Sequence, residues 1–572
     1  MSASKLTDRI SLESIQEVVD LFPYGKWQVA GVATGSFLAY KLAVLLKLWF
    51  IDPQFSPLKD VPGPDSYENI LLGDFRKIFD SPPSSVYKGL FDKYGHTISY
   101  RGVFLCRNLC TKDPKAVAHV LNHAYDFPKP PHIRSFLERM FGKGLLVAEG
   151  LDHKRQRKIL NPCFGPAYIR ELTPIFYDKA FELRDIWVRQ IEEGRLESKE
   201  IDVFVWLARA TLDIIGLSGF DYAFETLSQG ETDELVRAFM DLFAPMQSPP
   251  TLAFLADIIP LLRIIPTERA KVIARSTAVM ARVGGRLVRE KRAAVLAAAS
   301  GADAVEKESV AGRDLLSVLI KANMATDIKD SERMNDAEVI GQIYTLLIAG
   351  HETTSTTLTW LLYDLAHPEN QRVQAKLREE LRSVTSDRPT MDELNVPPYL
   401  DAVVRENLRL NSALDVTPRC AGQDTSIPVS TPYIDKNGVE RMEISVGAGE
   451  EIVIPISLIN RDKEIWGEDA DEFKPERWLE GNTHPKSSEI PGVFSSLLTF
   501  FGGPRACIGY RFALAEMKIL IFALLRDIAV ELPDPVPEIE NKSFIITRPA
   551  IMQADGSVKS MMPLRLKVLR SE

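Results

Sequence analysis

Near the C-terminus one stretch leaves the chain little freedom: Phe500-Phe501-Gly502-Gly503-Pro504-Arg505-Ala506-Cys507-Ile508-Gly509. A Gly-Gly-Pro turn cannot continue a helix, and from Ile508 to Leu525 apolar residues recur at helical spacing, so Cys507 falls at or just before a helix N-terminus. Unpaired N–H groups and the positive end of a helix dipole favour negative sulfur, the form that binds metal. A single thiolate held this way suits an axial ligand of haem iron, where it pushes electron density towards bound oxygen. A cysteine before a helix is otherwise a small buried hydrophobe, and the residues around it decide between the two.

Phe500, Gly503, Arg505, Cys507 and Gly509 together match Phe-x-x-Gly-x-Arg-x-Cys-x-Gly, and on these residues the chain resembles the cytochrome P-450 family of haem-thiolate monooxygenases, in its membrane-anchored, fungal-like form. The resemblance implies a mainly α fold with small β-sheets around haem b, iron protoporphyrin IX. It also implies roles. Cys507 is the axial iron ligand, Phe500 shields the sulfur, Gly503 and Gly509 let backbone approach the ring, and Arg505 meets a haem propionate.

Composition narrows the rest. With 45% hydrophobic and 26% charged residues, the 572-residue chain can bury a large core, and a net charge of −9 gives no support to nucleic-acid binding. Five scattered cysteines, Cys106, Cys110, Cys163, Cys420 and Cys507, are odd in number, which argues against a disulfide framework and for a reducing compartment. Cys106 and Cys110 have metal-pair spacing but no second pair nearby, and read as structural.

Residues 1–24 are polar and mildly amphipathic, and Pro23 and Gly25 end that run. From Val29 to Leu46 the chain is apolar except for Lys41, with Trp27 on one side and Lys47 and Trp49 on the other. That reads as a retained single-pass anchor, the alternative being a buried or interfacial helix. Residues 52–64, with Pro53, Pro57, Pro62 and Pro64, read as extended, stiff backbone and resemble the family's proline-rich hinge. The expected organisation is therefore 1–51 with the anchor, 52–64 as hinge and 65–572 as catalytic domain. Basic residues flank both ends of the apolar run, so the placement in the endoplasmic reticulum membrane with the catalytic domain facing the cytosol rests on the resemblance.

Tyr100 to Leu105 and its surroundings read as short strands, residues 205 to 292 as successive helices, and 295–312 as an exposed loop. The apolar, proline-rich stretch 242–266 reads as core, or, by the resemblance, as a substrate-entry lid. Around Gly150 to Lys158 a strongly basic helix places His153 and Arg157 four apart on one face, able to reach one anion. Where family members carry Trp-x-x-x-Arg for the propionates, this chain has His153 with Arg157 matched. Lys154, Arg155 and Lys158 would then face outward towards an acidic electron donor.

Asp336 to Leu365 is a long helical pattern containing Ala349-Gly350-His351-Glu352-Thr353-Thr354. Glycine and β-branched residues are poor choices inside a helix. The segment matches the family's Ala/Gly-Gly-x-Asp/Glu-Thr-Thr motif, which implies that Ala349 and Gly350 sit in a distorted turn over haem, that Thr353 hydrogen-bonds the oxygen being activated and that Glu352 relays protons. His351 reads as a packing residue. Glu406 and Arg409, three apart, and Arg477 in Pro475-Glu476-Arg477 resemble the family's structural Glu-Arg-Arg triad. Arg419 matches a usual propionate partner, while Asn411-Ser412-Ala413 replaces the common His-Pro-Pro.

Taken together, the residues point to a haem-thiolate monooxygenase that oxidises an apolar small molecule, by resemblance in fungal secondary metabolism such as terpenoid biosynthesis. Fatty acids or xenobiotics are the alternative substrates. The chain has no convincing flavin or nicotinamide site, so NADPH and flavins would act through a partner, NADPH-cytochrome P-450 reductase, with a cytochrome b-type donor as a second source. A haem-thiolate isomerase or dehydratase and a non-catalytic haem sensor are the competing readings.

Overall fold

Asn335 opens the helix around which the body is packed. Its side chain accepts from the Glu338 N–H at 3.0 Å while Glu338 accepts from the Asn335 N–H at 2.9 Å, a reciprocal cap that satisfies two donors no helical carbonyl can reach. From there the helix runs unbroken from Asp336 to Ala366 and is buried on nearly every side, which is why its sequence shows no single apolar stripe. The computed structural model in which this is seen describes residues 26–47, 51–194, 197–243, 267–299, 314–324, 329–479, 489–543 and 545–569, with single residues between 256 and 265. Most of the apolar stretch 242–266, and residues 1–25, lie outside these.

Helices Val203–Phe220, Glu268–Ala299, Pro398–Leu410 and Tyr510–Leu525 pack against this central helix, and Pro166–Glu193 packs on Tyr510–Leu525. Val203–Phe220 is, among the described residues, the one helix long and apolar enough to cross a membrane by composition. It is a core helix instead, with Leu207, Ile214, Ile215 and Phe220 buried. Glu268–Ala299 runs further than the sequence suggests: the alanine-rich end read as the start of a loop is helical to Ala299, consistent with alanine being the best helix former. The helix after it starts at Leu315, where Asp314 accepts from the Ser317 N–H and hydroxyl.

The strands are β1 (Thr97–Arg101), β2 (Arg107–Thr111), β3 (Ser198–Asp202), β4 (Val416–Cys420), β5 (Thr425–Ile434), β6 (Glu440–Val446), β7 (Glu451–Pro455), β8 (Ile528–Glu531), β9 (Glu540–Ser543), β10 (Thr547–Met552), β11 (Val558–Lys559) and β12 (Pro563–Val568). They form sheets ordered β1-β2-β7-β4, β3-β12-β8 and β11-β10-β9, and the hairpin β5-β6. In the first sheet β2 and β7 run parallel, and β7 and β4 antiparallel with Arg419 opposite Ile452. Val103 to Leu105, read as strand, is instead the turn between β1 and β2: Phe104 and Leu105 take positive φ (54° and 59°), and the Gly102 N–H closes onto the Cys106 carbonyl at 2.7 Å. The proline-rich segment also departs from extended backbone. It makes two 3-10 turns, Asp52–Gln54 and Pro57–Asp60, whose Leu58, with Val61 after them, is buried in the main core.

Candidate active site

The loop carrying Cys507 is closed by its own backbone, the Cys507 N–H donating to the Phe500 carbonyl at 2.8 Å. Gly503 has φ +66°, and a Cβ there would overlap the Leu121 carbonyl, so the glycine is demanded by the close seat of the loop on helix Pro114–Asn122. That constraint comes from protein. At Gly509 a Cβ would meet Phe164 at an ordinary 3.6 Å. Phe500 is buried against Phe494 and Tyr510. The helix begins at Tyr510 with Gly509 as its cap, which leaves Cys507 three residues ahead of it. Burial pushes the Cys507 thiol up, against the pull of the Gly509 N–H and Arg157, so the dipole expected to favour thiolate is outweighed. Haem iron, held at Cys507, would supply the missing charge, since coordination to a metal favours the thiolate.

What fixes this loop lies behind it. Glu406 and Arg409, both wholly buried, form a fork of two 2.9 Å hydrogen bonds, and Arg477 joins at 3.4 Å. Glu406 also accepts from the Lys474 N–H and the Trp478 indole, each at 2.9 Å. Arg409 spends its remaining donors on the Asn460, Ala470 and Glu472 carbonyls. Asn460 in turn accepts from the Leu498 N–H at 3.0 Å and donates to the Thr499 hydroxyl, which donates to the Leu408 carbonyl at 2.6 Å. The structure thus brings Glu406, Arg409 and Arg477 together and joins them, through Asn460, to the residues that enter the Cys507 loop.

On the other side of the loop, cations outnumber their partners. Arg157 donates to the Ala506 carbonyl at 2.6 Å. Arg505 pairs with Glu149 and donates to the Ala148 carbonyl. Lys129 lies 3.6 Å from the same Glu149. Among the described residues, the guanidinium of Arg419, buried on β4, donates to Thr417 and the Pro418 carbonyl. Burial and the neighbouring Arg505 lower Arg419 to about 10. Burial, Arg419 and Arg505 bring Lys129 down to about 7. His153, buried and 3.2 Å from the Tyr125 hydroxyl, falls to about 3 through burial and the cations Arg505, Lys129 and Arg157, so its imidazole is neutral. Lys129, Arg419 and Arg505 around one carboxylate, with Arg157 on the Ala506 carbonyl of the same loop, leave a site for further negative charge that the two propionates of haem would fit, and these four side chains would hold them. Lys129 and Glu149 escaped the sequence reading. Lys129 sits among prolines, and an acid just before a basic helix reads as an ordinary helix-start residue. Arg155 departs from expectation: it is paired with Glu338 and donates to the Arg333 carbonyl, so of the three cations expected to face outward only Lys154 and Lys158 are exposed.

Over the central helix the expected distorted turn is absent, the helix being continuous through Gly350. Gly350 instead makes room sideways, since a Cβ would lie 2.7 Å from Ile215 of the crossing helix. Between Glu338 and Ala366 Ala349 is the one exposed residue, and Thr353, one turn on, is half-buried with its hydroxyl donating to the Ala349 carbonyl at 2.7 Å. Glu352 is buried and gripped by Arg548 of β10 through hydrogen bonds of 3.0 and 2.6 Å. Burial would raise its carboxyl, but Arg548 and His351 outweigh that and hold it at about 2. His351 is wholly buried, its Nδ1 donating to the Leu347 carbonyl at 2.8 Å and its ring edge against Phe239. Further on, Asn411, where His-Pro-Pro is replaced, donates to Asp364 at 2.7 Å and so ties this segment back to the central helix.

A family model described as Cytochrome P450 matches residues 62–553. The chain is 44% identical to Cytochrome P450 monooxygenase 205 of Postia placenta, covering 94% of this chain and 97% of that protein, and 41% identical to Cytochrome P450 monooxygenase 128 of the same organism over the same shares. It is 36% identical to Cytochrome P450 monooxygenase claP of Ampulloclitocybe clavipes, with 85% and 88% covered. The protein belongs to the cytochrome P450 family and is a haem monooxygenase of that family.

Proposed function

We propose that this monooxygenase is membrane-anchored and oxidises an apolar small molecule of fungal secondary metabolism, such as a terpenoid, with electrons passed from NADPH by cytochrome P-450 reductase. The observation that carries the oxygen-inserting reading is the acid and alcohol Glu352 and Thr353 beside the exposed Ala349, a pair for which an isomerase, a dehydratase or a sensor has no use. When bound, haem supplies the chemistry of oxygen activation. The chain's residues do the rest. Arg157, Arg419, Arg505 and Lys129 would hold the propionates and so orient the group. Cys507 offers its sulfur from a loop immobilised through Glu406, Arg409 and Asn460. Glu352 passes protons towards the Thr353 hydroxyl, and the buried flanks of the central helix keep other water away. Lys154 and Lys158 are suited to an acidic donor protein.

Replacing Thr353 by alanine removes a hydroxyl that is bonded within its own helix, to the Ala349 carbonyl, so the fold and haem content are expected to stay. Product formed per NADPH should fall by about tenfold or more, with hydrogen peroxide taking the difference; unchanged coupling would remove Thr353 from the reaction. The helix Lys26–Leu46 presents Val32, Phe37 and Tyr40 outward. Deleting residues 1–50 should move the protein from the membrane pellet to the soluble fraction on ultracentrifugation, and an unchanged distribution would deny that helix the role of anchor. The function itself is tested by co-expression with a reductase and mass spectrometry of products from apolar substrates; turnover without reductase or NADPH would favour the isomerase reading.

A further inference from the structure

Helix Pro114–Asn122 ends in two histidines four residues apart, His119 and His123, the second of them the cap that closes its last turn. Residues at that spacing share one helix face. Their rings lie side by side, with centroids 4.3 Å apart and planes tilted by 33°, His119 half-buried and His123 exposed. Phe127 meets the His119 ring edge to face at 5.8 Å and helps to hold it. The Nδ1 of His123 is 2.8 Å from the His119 carbonyl, and because a carbonyl only accepts, Nδ1 carries the proton and Nε2 keeps its lone pair. A metal-binding imidazole is commonly oriented in this way, by its other nitrogen donating to a backbone carbonyl. Burial and the facing His123 lower His119, with Asp126 opposing them, so at neutral pH it is mainly the unprotonated form that can take a metal.

The place of the pair gives it a use. Between the two histidines lie Leu121 and Asn122, on which Gly503 of the Cys507 loop is seated so closely that a Cβ there would overlap the Leu121 carbonyl and stand 3.3 Å from the Asn122 Cα. The seat is the final turn of a helix, where carbonyls run out of helical partners and ends fray. Across that turn the His119 carbonyl already receives both the backbone N–H of His123, at 3.0 Å, and its ring.

We propose that His119 and His123 form a site for a divalent transition-metal ion of the zinc and copper class, which clips the last turn of helix Pro114–Asn122 and so stiffens the seat of the Cys507 loop. Two histidines four apart on one helix face are a known way of gripping zinc, with zinc–nitrogen bonds of about 2.0–2.1 Å, and imidazole suits copper and nickel as well. Among the described residues no group of three or more His, Cys, Asp or Glu side chains is placed to hold a metal ion, so the two imidazoles supply half of a tetrahedral shell and water the rest. The ion is held in addition to haem iron and takes no ligand from the Cys507 loop. Its effect on that loop passes through Leu121 and Asn122.

Full-length holoprotein in detergent, stripped of loose metal with a chelator, is compared as wild type, His119→Ala, His123→Ala and the His119→Ala/His123→Ala double variant. The readouts are zinc affinity by competition with a chromogenic chelator, the electron paramagnetic resonance spectrum of added Cu2+, and the rate at which haem passes to excess apomyoglobin with and without zinc. The wild type should bind an equivalent of zinc that each single variant binds more weakly by about tenfold or more and the double variant lacks. Copper on the wild type should show coupling to two imidazole nitrogens. Zinc should slow haem loss from the wild type by about threefold or more, because an ion that binds only the finished helix end favours it, and should leave the double variant unaffected. His123→Ala removes an exposed ring, and it carries the test if His119→Ala, which strips a contact from Phe127, fails to retain haem. Zinc bound equally well by the wild type and the double variant would overturn the site. Binding that needs both histidines yet leaves haem loss unchanged would overturn the clip.

Discussion

Cys507→Ser is expected to yield a folded protein without the thiolate-type Soret band in its reduced carbonyl complex, and with turnover reduced by about a thousandfold or more, equivalent to roughly 4 kcal/mol of transition-state stabilisation. The fold should survive because the loop is closed by backbone, from the Cys507 N–H to the Phe500 carbonyl, and by the seat of Gly503 on helix Pro114–Asn122. Neither involves the sulfur. A serine hydroxyl has nearly the same size but stays protonated where a thiol gives way to a metal, so the electron donation specific to sulfur is lost. Absorption spectroscopy of the reduced carbonyl complex, beside a thermal melt, checks both halves. Retention of the thiolate band would take Cys507 out of the site.

Glu406→Ala should have the larger effect on stability. Removing the carboxylate leaves Arg409 fully buried with two donors unmatched and Arg477 short of one partner, and it strips the acceptor from the Lys474 N–H and Trp478 indole. Breaking a buried ion pair on one side costs about 3–5 kcal/mol, a large part of a net stability of about 5–15 kcal/mol. The expected result is little haem-containing protein at ordinary growth temperature and a strongly lowered melting point in what remains. Loss at Arg409 travels through Asn460 to Leu498 and Thr499, so haem retention should fall with stability. A variant that melts like wild type and keeps its haem would mean the network is decorative.

The parts of the site legible in the sequence are those whose chemistry demands one residue type at fixed local spacing. Cys507 with Phe500, Gly503 and Arg505 is of this kind, as are Glu352 with Thr353 and Glu406 with Arg409. Partnerships chosen by tertiary contact were not legible. Arg548 and Glu352 are 196 positions apart, Arg155 and Glu338 183, and no local pattern marks either pair. Arg155 read as a surface charge because its helix is basic; the capping glutamate of another helix buries it. Lys129 lies in Phe127-Pro128-Lys129-Pro130-Pro131, where proline dominates the reading. The helical architecture was legible in outline, since long apolar periodicities survive small errors, but its ends were not. Alanines carried one helix on to Ala299, and two residues of positive φ turned a presumed strand into the tip of a hairpin.

The surplus of positive charge around Glu149 has a consequence for biogenesis. The finished fold holds Lys129, Arg419 and Arg505 against one another in a poorly hydrated space, with one carboxylate between them. A dianion that binds the finished shape but not the loose chain adds its binding energy to stability. With haem held there, maturation of this end of the molecule would be coupled to the cell's supply of the pigment, and a chain folded in shortage would keep its cations unbalanced.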